Sequence, residues 1–145
     1  MNKRYSFLLI LLFVFLIERI TKFLALEYTL RGFFCCQNWL GIELVYNPGI
    51  AFGLPVPTQI SLIISGLIII LLIMAVIKNF QQKQHLILPL GLIIIGALSN
   101  IIDRLRYGQI IDFLHIGPWP IFNLADGLIV FGALLLIWQQ ARRKS

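Results

Sequence analysis

Residues 86–104 read LILPLGLIIIGALSNIIDR, and the two parts of this stretch decide what kind of protein the chain is. Residues 86–98 hold no charged or strongly polar side chain, so this part suits hydrocarbon. The remainder adds Ser99, Asn100, Asp103 and Arg104. Asn100, Asp103 and Arg104 are spaced by three and four positions, so a helix carries them as one polar stripe. Burial cost demands that such a stripe face other protein rather than lipid. Gly96 and Ala97, one turn earlier, let a neighbouring helix approach closely. Outward from here, residues 67–77 are equally free of charge, and 59% of the 145 residues are apolar. Soluble domains hold roughly 45–50%. The chain is too short for a membrane unit plus a separate soluble enzyme, so residues 1–145 are expected to form a single membrane domain.

A spanning helix needs about 20 mostly apolar residues. Four segments qualify, at about 5–26, 60–77, 86–102 and 121–138. The first carries Glu18, Arg19, Thr21 and Lys22 in its last third. It could instead be a cleaved signal peptide, but no small-x-small site follows it, so a retained helix is favoured. Lys3, Arg4, Lys78, Lys83, Arg142, Arg143 and Lys144 fall on one side, against Arg31, Arg104 and Arg106 on the other. The positive-inside bias therefore puts both termini in the cytoplasm and the links 27–59 and 103–120 outside. It also accounts for the net charge of +6 as basic anchors. No aromatic residues interleave with these bases, so nucleic acid is not an expected partner. In the first outer link Leu40, Ile42, Leu44 and Tyr46 alternate with Gly41, Glu43 and Val45, a half-buried strand pattern ending in an Asn47-Pro48-Gly49 turn. Cys35 and Cys36 are adjacent, lack metal-ligand spacing, and are expected to pack as small apolar side chains.

Two carboxylates stand where carboxylates are costly. The fourth segment begins Ile121-Phe122-Asn123-Leu124-Ala125-Asp126, which would put Asp126 about 7 Å inside the outer end of a helix starting at Ile121. A carboxylate there also complements the helix dipole, but that alone leaves Asn123, three residues earlier, unexplained. Asp112 stands alone in the apolar, strand-like Gln109-Ile110-Ile111-Asp112-Phe113-Leu114, after a turn at Gly108. If it meets Asp126 at the same depth, the two cannot both ionise easily and share a proton. The helix start favours an ionised Asp126, leaving the proton with Asp112. Such a pair suits amide hydrolysis, one carboxylate activating water while the other protonates the carbonyl. Parts for other chemistries are missing, among them a Ser–His–Asp set, an H-E-x-x-H zinc site and a phosphate loop. Two rivals remain. A proton-linked transporter would need polar residues toward the cytoplasmic side, which 60–77 does not offer. An anchoring protein would tolerate loss of either carboxylate.

In order, Asn47-Pro48-Gly49-Ile50-Ala51-Phe52, Asn100-Ile101-Ile102-Asp103-Arg104, Gly108-Gln109-Ile110-Ile111-Asp112-Phe113 and Phe122-Asn123-Leu124-Ala125-Asp126 resemble the lipoprotein signal peptidase (signal peptidase II) family. The resemblance covers nearly the whole chain. It implies a four-transmembrane-helix bundle with a small β-cradle at the outer membrane surface. It implies an aspartic endopeptidase of the bacterial inner membrane that removes the signal peptide of prolipoproteins before a diacylglyceryl-modified cysteine. Asp112 and Asp126 match the catalytic aspartates; Asn47, Gly49, Asn100, Arg104 and Asn123, with Glu18 and Lys22 on the first helix, match residues that position substrate or support the pair. No metal or cofactor is implied, membrane lipid surrounds the site, globomycin is the expected inhibitor, and a bundle able to satisfy its own polar stripe is expected to be a monomer. Two positions depart from the family's usual pattern. Glu18 in Glu18-Arg19-Ile20-Thr21-Lys22 replaces the usual Asp, and Gly96-Ala97 replaces Gly-Gly. Full activity is expected despite both.

Overall fold

The structure, a computed structural model, describes residues 3–28, 32–36, 39–49, 56–80 and 83–144, with the backbone alone for 3, 4, 143 and 144. Arg31 and the Ile50-Ala51-Phe52 part of the first motif lie outside the described residues. Among the described residues there are four α-helices: α1 (Lys3–Tyr28), α2 (Thr58–Asn79), α3 (Ile87–Tyr107) and α4 (Leu124–Lys144). Strands β1 (Phe33–Cys35) and β2 (Leu40–Asn47) lie between α1 and α2, and β3 (Ile110–Ile116) lies between α3 and α4.

The helices form because long runs of Leu and Ile keep every backbone group bonded within the segment, which hydrocarbon requires. Among the described residues three stretches, Thr58–Asn79, Gln84–Tyr107 and Leu124–Arg142, are long and apolar enough to cross a membrane. At 26 residues α1 has the length as well, but it carries Glu18, Arg19 and Lys22 within one turn of each other. Those charges are buried or half-buried against α3 rather than facing outward. On α2 the only buried residues are Ser61 and Ile69. Most of its other Ile and Leu side chains are exposed, with Leu62 and Leu72 half-buried, as expected where the solvent is lipid.

Helix α3 is the hub, packing on α1, α2 and α4, and most closely on α4. That closeness has a local cause. A Cβ on Gly96 would sit 2.5 Å from the Ala125 carbonyl oxygen, and one on Gly132 would sit 2.7 Å from the Pro89 carbonyl oxygen. The expected close approach at Gly96 is therefore real, and its partner is α4. At its other end α3 stops at Gly108, whose φ of 74° turns the chain while its N–H bonds the Arg104 carbonyl at 3.0 Å.

The three strands form one antiparallel sheet in the order β1-β2-β3. Val45 pairs with Asp112 and Asn47 with Ile110, with an irregularity between Ile42 and Val45. Beyond β3 the chain is tied back: Leu114 N–H donates to the Phe122 carbonyl at 2.7 Å and Phe122 N–H returns a bond to Leu114 at 3.1 Å. This tie sets the first residues of α4 beside Asp112. Ile111 and Phe113 are buried with Ala25, which fastens the sheet to α1.

Several expectations change. The third helix runs past residue 102 to Tyr107, so Asp103 and Arg104 lie within its last turns. The fourth starts at Leu124 and not near 121, because residues 121–123 are used in the tie to β3 and in capping. Strand β2 occupies the expected place, and Leu44 is half-buried against Ala25, Ile111 and Phe113, but Leu40, Ile42 and Tyr46 are exposed. Cys35 and Cys36 are free thiols and exposed, so they do not pack as small apolar groups.

Candidate active site

Asn123 is the residue around which the two carboxylates meet. It stands one residue before α4, where the first N–H groups of the helix have no internal partner. Its Oδ1 accepts the Asp126 N–H at 2.9 Å, and Asp126 Oδ2 accepts the Asn123 N–H at 3.4 Å. This reciprocal arrangement is a capping box. Asp126 is thus in the first turn of the helix and half-buried, not about 7 Å inside it as a start at Ile121 would require. With its oxygen committed to the helix, Asn123 presents Nδ2 outward, and that group donates to Asp112 Oδ1 at 2.6 Å. One asparagine therefore touches both carboxylates.

Two further amides complete the set, each oriented by what it accepts. Asn47 Oδ1 takes the Gly49 N–H at 2.9 Å in the turn after β2, so its Nδ2 points to Asp112 Oδ2 at 3.0 Å. The Gly49 carbonyl is in turn held by Arg104 Nη2 at 3.0 Å. Asn100 Oδ1 accepts from Lys22 Nζ at 3.0 Å and from Asn123 Nδ2 at 3.3 Å. Its own Nδ2 then donates to Asp126 Oδ1 at 2.8 Å. An amide offers donors at one end and an acceptor at the other, so these partners fix all three orientations. Asn47, Gly49, Asn100, Arg104, Asn123, Asp112 and Asp126 form one connected network.

Burial is the first cause that pushes the Asp112 carboxyl from 3.8 up to about 6. The Asn47 hydrogen bond opposes the rise, the Asp126 charge adds to it, and the Asn123 bond and Lys22 charge oppose it. The charge of Asp126 is thus a smaller contribution than desolvation. Asp112 is only 2% exposed, and its strand is walled by α1 on one side and the start of α4 on the other.

Glu18 and Lys22 reach this network from α1. Lys22 Nζ binds Asp103 Oδ2 at 2.5 Å and Glu18 Oε1 at 3.0 Å, besides Asn100. Glu18, Lys22 and Asp103 are all fully buried. Asp103 Oδ2 also accepts the Ile111 N–H at 3.3 Å, next to Asp112. The stripe on α3 was visible in the sequence; that Arg19 and Ser99 belong with it was not. Arg19 Nη1 binds Asp103 Oδ1 at 2.7 Å and Ser99 Oγ at 2.8 Å. The available signal was the cluster Glu18, Arg19 and Lys22 on an apolar helix, which required a partner of similar polarity elsewhere. Among the described residues no three His, Cys, Asp or Glu side chains gather to hold a metal ion.

Comparison with known proteins gives this geometry a family. Residues 10–142 match the model of the family described as Signal peptidase (SPase) II. The lipoprotein signal peptidase of Moorella thermoacetica is 38% identical over 141 residues, covering 92% of this chain and 91% of that one. That of Burkholderia mallei is 37% identical over 141 residues, covering 91% of this chain and 85% of its own. Among solved structures, a bacterial membrane enzyme determined by the in meso method at 2.3 Å superposes with a TM-score of 0.87. It is 30% identical and is covered over 97% of this chain and 90% of its own. A second such enzyme, at 1.9 Å, gives 0.82 at 30% identity, with 93% and 92% covered. Sequence relatives, solved structures and the arrangement of polar residues on apolar helices agree: the chain belongs to the signal peptidase II family, whose members are membrane enzymes.

Proposed function

We propose that the protein is an aspartic endopeptidase that removes the signal peptide of bacterial prolipoproteins, cleaving before a diacylglyceryl-modified cysteine. The observation that carries this is Asn123 holding Asp112 and Asp126 together, one buried and one at a half-open helix start. Asp126 lies where the helix dipole favours negative charge. It takes a proton from water as the water oxygen attacks the scissile carbonyl carbon. Asp112, protonated in its buried setting, gives its proton to the carbonyl oxygen, forming a neutral tetrahedral adduct. The adduct returns a proton to Asp112 as the C–N bond breaks, and the proton on Asp126 passes to the leaving amine. Each residue ends as it began.

All four helices span the bilayer in this reading, as one domain over residues 1–145. Both termini face the cytoplasm, and the sheet and carboxylates lie at the outer face of the inner membrane. The substrate's lipid then keeps its scissile bond at the depth of the pair. Asn47, Gly49, Asn100, Arg104, Asn123, Glu18 and Lys22 position substrate or support the carboxylates, membrane lipid surrounds a monomer, and globomycin inhibits it. No cofactor takes part in the steps above.

The test is cleavage of a diacylglyceryl-modified prolipoprotein by the purified protein, beside Asp112→Asn and Asp126→Asn. Asn keeps each shape and cannot pass the proton. Cleavage by the wild type and by neither variant, with both variants folded, is the expected result. Cleavage that survives in both would exclude the mechanism.

A further inference from the structure

The chemistry at the carboxylates uses Asn100, but the residues that hold Asn100 form a structure of their own behind it. Lys22 Nζ donates to Asn100 Oδ1 at 3.0 Å and to Asp103 Oδ2 at 2.5 Å, and it pairs with Glu18 by charge, Oε1 lying 3.0 Å away without a hydrogen bond of its own. Each carboxylate has a second oxygen. That of Asp103 is bound by Arg19 Nη1 at 2.7 Å. That of Glu18 receives a short hydrogen bond from Ser99 Oγ. Ser99 Oγ in turn accepts from Arg19 Nη1 at 2.8 Å. The residues therefore close a ring: Lys22, Asp103, Arg19, Ser99, Glu18 and back to Lys22. Two carboxylates and two cations leave it without net charge, which suits a site from which water is excluded.

We propose that Arg19 and Ser99 are positioning residues for the reaction, closing this ring so that Lys22 presses on Asn100 Oδ1 and turns the Asn100 amide donor onto Asp126. The inference rests on Asp112 and Asp126 being the reacting pair. It follows from the chemistry of the parts. Lys22 and Asn123 Nδ2 both donate to Asn100 Oδ1, and Lys22, charged and the shorter contact at 3.0 Å against 3.3 Å, contributes most to turning the Asn100 NH2 toward the carboxylate. Without Arg19 the ring carries one excess negative charge, and Lys22 is drawn onto the two carboxylates and away from Asn100. Without the Ser99 hydroxyl, Glu18 Oε2 is left buried with no hydrogen-bond donor at its usual distance. The longer Glu18, in place of the Asp usual in the family, is what reaches Ser99. The departure noted in the sequence is thus one member of a set, and shortening it to Asp withdraws the carboxylate from Ser99.

Two measurements on the full-length protein in detergent test this. One is the side-chain amide NMR signal of Asn100, assigned by its loss in Asn100→Asp. The other is steady-state cleavage of a diacylglyceryl-modified prolipoprotein. Arg19→Gln and Ser99→Ala are each expected to shift the Asn100 signal and lower kcat about tenfold, with KM changed by less than about twofold. Arg19→Lys, which restores the cation, is expected to recover both. Ser99→Ala is expected to cost little further in a Glu18→Asp background, since the contact is already gone. An unmoved Asn100 signal in both Arg19→Gln and Ser99→Ala would overturn the proposal. So would a lowered melting temperature with kcat per folded molecule intact, which would mean a structural staple only. Should cleavage survive Asp112→Asn, the peptidase mechanism falls, and the Asn100 signal by itself still decides whether the ring orients the amide.

Discussion

Helices α2 and α3 are nearly equal in length, at 22 and 21 residues, yet they do opposite things. On α2 most Ile and Leu side chains are exposed and two residues are buried. On α3 one end is apolar and packed, with Pro89, Leu90, Gly91 and Leu92 buried, and the other buries Ser99, Asn100, Asp103 and Arg104. The difference teaches that at the polar end of α3 polarity, not hydrophobicity, marks the inside. Where lipid is the solvent, an apolar surface gains nothing by hiding, whereas an ionised one must be matched by protein. The core of the bundle at its candidate active end is accordingly a set of charges and amides.

The strongest way to break this contrast is to remove a carboxylate that the seam exists to hold. Asp112→Asn or Asp126→Asn should cut turnover by about 10³-fold or more while each protein still folds, measured as initial rates on prolipoprotein. Next comes the ion ring. Lys22→Met leaves Glu18 and Asp103 buried without their shared cation, and should cost about 3–5 kcal/mol of stability in a detergent unfolding titration. An equally stable Lys22→Met protein would mean that the ring is not matched charge for charge.

The close contact of α3 with α4 offers a finer probe. A methyl group at residue 96 meets the backbone of Ala125, so Gly96→Ala should separate Asn100 from Asp126 and reduce kcat by up to about 10²-fold. Unchanged kcat would show that the helices can part without disturbing the pair. The pH dependence then sharpens the roles. With Asp112 near 6, kcat/KM of the free enzyme should fall about tenfold per pH unit above that value, because the acid form is lost. The same shift acts on stability. The folded state holds its proton between 3.8 and about 6, where the unfolded state does not. Stability from this group is therefore full below 3.8, is lost as pH rises through that window, and is flat above it. A profile flat from pH 5 to 8 would remove Asp112 as the acid. The smallest effect belongs to the other helix. Leu71→Ala on the outward face of α2, where Leu71 is 60% exposed, should change stability by less than about 0.5 kcal/mol and leave kcat alone. A large loss there would mean that this face contacts protein rather than lipid.

The amino-acid sequence by itself determined the apolar segments, the polar stripe on α3, the strand near Leu40 and the two exceptional carboxylates. These features follow from local composition and spacing, since hydrocarbon leaves a Leu–Ile run little choice but helix. The order of the motifs also carried the family. What the tertiary structure decided was contact. Asp126 belongs to a capping box, because the Leu114–Phe122 tie delays the start of α4 to Leu124. Burial, more than the charge of Asp126, raises Asp112, because α1 and α4 close around β3. Of the apolar set on β2, Leu44 packs against Ala25, Ile111 and Phe113 while Leu40, Ile42 and Tyr46 stay exposed. Arg19 and Ser99, 80 positions apart, become partners only when α1 lies against α3. Side-chain spacing along one helix predicts which groups share a face, but which face meets which is settled by pairing charges and amides across the whole bundle.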